Sequence, residues 1–178
     1  MWLNSIGRAR PCKPFGNGDD MAQEIEHKFL VIGLDCIAGK TGFRWRQAYL
    51  SRVPERTVRV RIGDDSAFLT IKGKPRGTVR EEFEYAIPKA DAEYLLAMCD
   101  GFIVDKTRYL VEHAGHQWEI DVFHGVNEGL VLAEIELSAE GERFELPPWV
   151  GREVTSVSRY QNAALSATPF SSWGKEPE

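Results

Sequence analysis

Seven strand-length segments of this chain put charge on one face and apolar side chains on the other. Side chains alternate across a strand with period two, so residues i and i+2 share a face. In 24–32, Glu24, Glu26 and Lys28 oppose Ile25, His27, Phe29 and Val31. In 57–62, Arg59 and Arg61 oppose Val58, Val60 and Ile62, and in 68–72, Thr70 and Lys72 oppose Leu69 and Ile71. In 80–87, Arg80, Glu82 and Glu84 oppose Phe83, Tyr85 and Ile87. In 104–111, Lys106 and Arg108 oppose Thr107, Tyr109 and Val111. In 117–123, Glu119 and Asp121 oppose Trp118, Ile120 and Val122, and in 130–138, Glu134 and Glu136 oppose Val131, Ala133, Ile135 and Leu137. A further strand, 46–52, carries Tyr49. Turns at 63–65, 73–77, 114–115 and 124–125 separate them. Two helices are expected. The first spans 88–100, with Pro88 near its start and Gly101 as a stop; the second spans 158–167. A short helical turn is expected over 139–144. About eight strands against two or three helices predict a mainly β, α+β architecture, or a barrel.

A surface face in water normally mixes Thr, Ser, Gln and scattered charges. These faces carry nearly pure ExE, RxR and KxR pairs instead. A barrel with the charged faces inward has a wet, charged lumen and helices packed on its apolar outside. Periodicity alone leaves inward and outward open. Two carboxylates at i and i+2 on a strand stand about 7 Å apart. Oxygen-only ligands of that kind suit hard divalent cations. Arginine forks suit phosphate oxygens. Both sets in one lumen point to a metal–polyphosphate complex held by side chains, since the chain has neither a P-loop nor a GxGxxG motif.

Composition narrows the rest. The chain has 178 residues, with 22 basic and 27 acidic ones. A net charge of −5 excludes a bulk basic surface for nucleic acid. The wholly apolar runs, such as 29–32, fall far short of the ~20 residues that a membrane helix needs. No apolar stretch follows the early basic residues, so no signal peptide is expected. Cys12, Cys36 and Cys99 form neither a disulfide frame nor a zinc motif, and they predict thiols in a reducing cytoplasm. Residues 1–20 have no periodicity and predict a disordered or non-native extension. Residues 21–169 form one domain, and 170–178 a flexible tail.

The run Glu24-Ile25-Glu26-His27-Lys28 resembles the ExExK signature of the CYTH superfamily, also called triphosphate tunnel metalloenzymes. The elements that follow come in family order. They are Arg46-Gln47-Ala48-Tyr49-Leu50, Arg59-Val60-Arg61, Thr70-Ile71-Lys72, Arg80-Glu81-Glu82-Phe83-Glu84 and Asp105-Lys106-Thr107-Arg108-Tyr109. Then come Glu119-Ile120-Asp121-Val122-Phe123, Glu134-Ile135-Glu136, Pro147-Pro148-Trp149 and Arg159-Tyr160. The likeness spans nearly all of 22–167 and is greatest to short, single-domain bacterial inorganic triphosphatases. It implies an eight-stranded antiparallel β-barrel, a tunnel with a charged lumen and a few helices outside. It implies Mg²⁺ or Mn²⁺, and cleavage of inorganic triphosphate to pyrophosphate and phosphate by metal-activated water.

The resemblance assigns Glu24, Glu26, Asp121, Glu134 and Glu136 to the metals, with Glu82 and Glu84 either joining them or pairing with lumen arginines. It assigns Lys28, Arg59, Arg61, Lys72, Arg80, Lys106, Arg108 and Arg159 to the phosphates. Relatives often carry an acidic–basic pair before the final Arg-Tyr. Here Val157 and Ser158 stand there and leave Arg159 alone. Tyr49 and Lys106 are the candidates for proton transfer. His27 lies on the apolar face and is expected to pack. Tyr109 and Trp149 are expected in the core. Two other readings share these residues. One is a class IV-type adenylate cyclase or a thiamine or nucleoside triphosphatase of the same superfamily. The other is a non-catalytic polyphosphate-binding module, which would not need the acidic set. A homodimer is compatible with all of them.

Overall fold

The computed structural model describes residues 2–3, 9–10, 23–74 and 79–174, with the side chains of 25–74 and 81–174. Of the expected extension 1–20, only a two-residue ladder is described, pairing Trp2 with Arg10 and Leu3 with Ala9. The rest of it, and the end of the expected tail, lie outside the described residues.

The alternating segments form the strands β1 (Gln23–Val31), β2 (Phe43–Ser51), β3 (Arg56–Ile62), β4 (Ala67–Gly73) and β5 (Val79–Ala86). After the helix α1 (Lys89–Ala97) come β6 (Asp100–His113), β7 (His116–His124), β8 (Val131–Leu137) and β9 (Val150–Glu153). Every pairing is antiparallel, in the order β8-β7-β6-β2-β3-β4-β5-β1. β8 also pairs with β1, from Leu132↔Leu30 to Leu137↔Ile25, so the neighbours run round a ring of eight. The β5–β1 seam is three pairs long, at Gln23–Ile25. Further along the same edge of β1, β9 takes over at Phe29 and Val31.

Burial decides between the two faces. Phe29, Trp118, Ile120, Ala133 and Ile135 form one buried cluster, covered from outside by Cys36, Ile37, Phe144 and Trp149. Ala48, Val60, Ile62 and Ala67 form a second, beneath Ala92 and Leu96 of α1. Each fully buried Ile, Val or Phe side chain contributes about 1.5–3 kcal/mol. The apolar faces therefore point outward into these layers, and the charged faces point into the ring. A third cluster is made of inward residues: Val104, Phe123 and Leu132 pack against Val154, Tyr160 and Leu165. The segment 154–173 thus fills one end of the ring.

Two helical expectations are corrected. Over 139–144 there is a turn and no helix; Gly141 adopts a left-handed φ of 79°, which ends helical hydrogen bonding. The helix expected over 158–167 is split into a 3₁₀ turn, Ser158–Tyr160, and the short α2 (Asn162–Leu165). Gln161 between them is extended, at φ −72° and ψ 138°. The strand expected over 46–52 begins earlier, at Phe43, and β9 was not expected.

Candidate active site in the charged tunnel

The inward side chains divide into two walls. The first is built by β1, β6, β7 and β8. Strand register places Lys28 across from Glu134, and Arg108 across from Asp121. The Lys28 ammonium contacts Glu134 and donates to Glu26 at 2.6 Å. Arg108 grips Asp121 through Nε at 2.7 Å and Nη2 at 2.6 Å, reaches Glu134 at 2.8 Å and contacts Glu119. Lys106 contacts Asp121 as well. Lys28, Lys106, Arg108, Asp121 and Glu134 are all buried.

Their charges are held by one another. Burial opposes charge on Lys28, but Glu134 and Glu26 outweigh it and raise its pKa above the ordinary lysine value. Burial likewise opposes charge on Glu134, yet Lys28, Lys106 and Arg108 hold it well below the usual carboxylate range. Asp121 is lowered, with Arg108 and Lys106 outweighing burial. Lys106 alone moves the other way. Burial and then the Arg108 cation push its pKa down, because Arg108 already has the bidentate hold on Asp121.

The second wall is built by β2, β3, β4 and β5. Arg61 Nη2 donates to Glu84 at 3.0 and 3.2 Å. Arg59 Nη2 donates to Thr70 at 3.1 Å and reaches Glu84 at 3.5 Å. Lys72 meets Glu82 at 2.9 Å. Burial and the neighbouring Arg59 push the Arg61 pKa down to about 10. Arginine stays charged at neutral pH even so; the shift registers a crowded cation short of negative charge. The Arg61 guanidinium lies over the Trp45 ring at 4.6 Å and the Phe68 ring at 5.3 Å. Tyr49 is buried on this wall, and its hydroxyl accepts from Gln47 Nε2 at 3.3 Å.

The tunnel therefore brings together Lys28, Arg59, Arg61, Lys72, Lys106, Arg108, Glu26, Glu82, Glu84, Asp121, Glu134 and Tyr49. Glu136 shares the inner face of β8 with Glu134 but is exposed toward the open end. The side chains of Glu24 and Arg80 lie outside the described residues; their backbones pair with each other. Arg159 stacks on Trp173 at 4.5 Å and Tyr160 at 5.2 Å, in the segment that fills one end of the ring. His27 packs outside against Phe144 and bonds Glu153 at 2.9 Å. Tyr109 and Trp149 pack against the first outer cluster. Among the inward residues with no role assigned from sequence are Glu119, Thr70, Gln47 and Trp45. For the last two the signal was present, since they share a face with Tyr49 at i−2 and i−4.

Among the described residues no three His, Cys, Asp or Glu side chains converge as a finished metal cage. The donor chemistry nonetheless fits a hard cation. Glu26 and Glu136 stand directly across from each other on β1 and β8. Like charges so placed repel unless a cation joins them.

A closed antiparallel ring lined by paired acidic and basic side chains is a tunnel-type fold. The chain belongs to the CYTH domain family, whose model matches residues 22–168. It is 42% identical over 151 residues to an inorganic triphosphatase of Acetivibrio thermocellus, covering 84% of this chain and 97% of that protein. It is 36% identical over 148 residues to an inorganic triphosphatase of Nitrosomonas europaea, covering 80% and 96%. A solved structure of an inorganic triphosphatase matches with TM-score 0.61 at 35% identity, covering 80% of this chain and 93% of that one. Membership implies a divalent metal requirement.

Proposed function

We propose that this chain hydrolyses inorganic triphosphate to pyrophosphate and orthophosphate within the tunnel. The observation that carries the reading is buried Arg61 crowded by half-buried Arg59, facing the paired acidic and basic side chains of the first wall across one lumen. Arg59, Arg61 and Lys72 bind the phosphate oxygens from one side, and Lys28, Lys106 and Arg108 from the other, with Arg80 assigned to the phosphates by the family likeness. Water adds to a terminal phosphorus, the P–O–P bond breaks, and pyrophosphate leaves. Little covalent chemistry is asked of the protein; holding the chain in line and neutralising charge as the bond breaks do most of the work.

Glu26 and Glu136 would hold the metal, with Glu24 assigned to it by the family likeness, and Glu134 and Asp121 stand deeper in the same wall. Mg²⁺ or Mn²⁺ bound there would neutralise phosphate charge and lower the pKa of an attacking water. Lys106 is the group best placed to move a proton, because its pKa is already lowered by burial and Arg108. Tyr49 is the second, its hydroxyl fixed by Gln47. The inorganic substrate is favoured over a nucleotide by Trp45 and Phe68. Both side chains are buried and lie against the Arg61 guanidinium, so neither offers an exposed ring on which a base could stack. The Cys36 and Cys99 thiols suit a reducing cytoplasm.

The test is phosphate release from tripolyphosphate, ATP and thiamine triphosphate in parallel, with Mg²⁺ or Mn²⁺ and with excess chelator. Tripolyphosphate is expected to be cleaved fastest, and chelation to abolish turnover. Faster cleavage of ATP would favour the nucleotide reading. Tight binding without release would favour a polyphosphate-binding module.

A further inference from the structure

We propose that Glu84 is a resident stand-in for a substrate phosphate, and that displacing it from Arg59, Arg61 and Thr70 sets which anions the tunnel accepts. The proposal rests on the triphosphatase reading. The Glu84 carboxylate takes Arg61 at 3.0 and 3.2 Å, Arg59 at 3.5 Å and the Thr70 hydroxyl at 2.9 Å. Two guanidinium groups and a hydroxyl converging on one pair of oxygens form a donor set that suits a phosphate equally well. Strand register fixes this seat. Thr70 lies directly across from Arg59 on one side and from Glu84 on the other, and it is fully buried. Arg61 packs over both the Trp45 and Phe68 rings, whose centroids lie 6.2 Å apart, and this restrains its guanidinium when the carboxylate leaves.

A carboxylate carries one negative charge on two oxygens. Triphosphate brings more charge and more acceptors to the same donors, so it displaces Glu84. Orthophosphate gains far less over what Glu84 already supplies. The internal competitor costs every anion that takes these donors the same factor in affinity, so at a given concentration the highly charged ones still fill the seat and the weakly charged ones do not. That is discrimination by an opposing interaction.

Glu84→Gln keeps the side chain's shape and removes its charge. Melting temperature should fall in the free protein, because Arg59 and Arg61 lose a counter-ion. Pyrophosphate with Mg²⁺, which the proposed reaction makes and does not consume, should restore it, so the ligand-induced rise exceeds that of the unaltered chain. The inhibition constant for orthophosphate should drop about tenfold, equivalent to about 1.4 kcal/mol, and the Mg²⁺ concentration for half-maximal rate should not move. An equal loss of melting temperature with and without pyrophosphate would assign Glu84 a purely structural part and overturn the proposal. A raised Mg²⁺ requirement would make it a metal ligand, and an unchanged orthophosphate constant would remove the competition; either overturns the proposal. If the Gln variant does not fold, Glu84→Asp retracts the carboxylate by one methylene and should lower the orthophosphate constant by a smaller factor. An unchanged constant there also overturns the idea. The unaltered chain is assayed alongside on tripolyphosphate. If it releases no phosphate, the triphosphatase reading fails; if it is active and Glu84→Gln gives any of the contrary results, this inference alone fails.

Discussion

Lys28, Lys106 and Arg108, on one wall of the tunnel, meet four carboxylates, whereas Arg59, Arg61 and Lys72, on the other, share two, Glu82 and Glu84. In the first wall Lys28 and Arg108 are raised and Asp121 and Glu134 are lowered, all toward charge, while Lys106 is lowered away from it. In the second, Arg61 is lowered by burial and by Arg59. Buried charge is satisfied internally on one side and left short of counter-charge on the other. The first wall holds itself together. The second gains most from an incoming anion.

The sharpest way to break this contrast is to remove Glu134. It touches both Lys28 and Arg108 and is 5% exposed. Glu134→Ala leaves two buried cations short of a partner, and losing one member of a buried pair costs about 3–5 kcal/mol. Denaturant unfolding should show a loss of that size, together with loss of turnover. A change under about 1 kcal/mol would show that the first wall is not self-supporting.

Next in size is a pair of neighbours on the second wall. Arg59→Ala removes a fork that binds phosphate and relieves repulsion with Arg61, so turnover on tripolyphosphate should drop about 100-fold, near 2.7 kcal/mol, with little change in melting temperature. Val60, one residue on, points outward into the cluster under α1 and is fully buried. Val60→Asp puts an unpaired carboxylate there and should cost several kcal/mol of stability. A strongly unfolded Arg59→Ala beside a stable, active Val60→Asp would invert the walls.

Acid offers a gentler probe. Asp121 and Glu134 have pKa values lowered by folding, so each contributes stability above the ordinary carboxylate range near pH 4, and that contribution is lost as pH falls through the lowered folded values. Melting temperature should be nearly level from pH 7 to about 5 and fall below about 4. Glu134→Gln should flatten that fall. An equally steep fall in the variant would place the acid-sensitive groups elsewhere.

The period-two alternation carried most of this fold. Which side chains share a face could be read from alternation; that the charged face points inward came from the resemblance carried by ExExK, RxR and EIE, since alternation alone left inward and outward open. What alternation does not contain is pairing partners. That Glu84 lies with the arginines and Glu134 with Lys28 depends on strand register, which brings distant residues together. Gln47 and Trp45 were missed because uncharged side chains on a charged face look like packing. The apolar end layer of Val104, Phe123 and Leu132 was also hidden, since inward residues at a filled end read as ordinary core. The failures at 139–144 and 161 are local, set by Gly141 and the extended Gln161.

The smallest expected effect asks whether the two walls suffice. Residues 1–20 carry Arg8, Arg10 and Lys13, and three more cations could supplement the arginine wall. Two observations argue that they do not. The family model begins at residue 22, and β1, which supplies Glu26 and Lys28, is held along its length by β8 through six residue pairs. Its position therefore does not depend on what precedes it. Deleting 1–20 should change melting temperature by no more than a degree or two, since surface substitutions away from specific contacts stay within about 0.5 kcal/mol. KM for tripolyphosphate should stay within about twofold. The measurement is sharpest at low salt, where a loosely held cation acts at longest range. A rise in KM at low salt that disappears at high salt would show the arm adding charge to the second wall. A fall in melting temperature of many degrees would show it bracing the short β5–β1 seam instead.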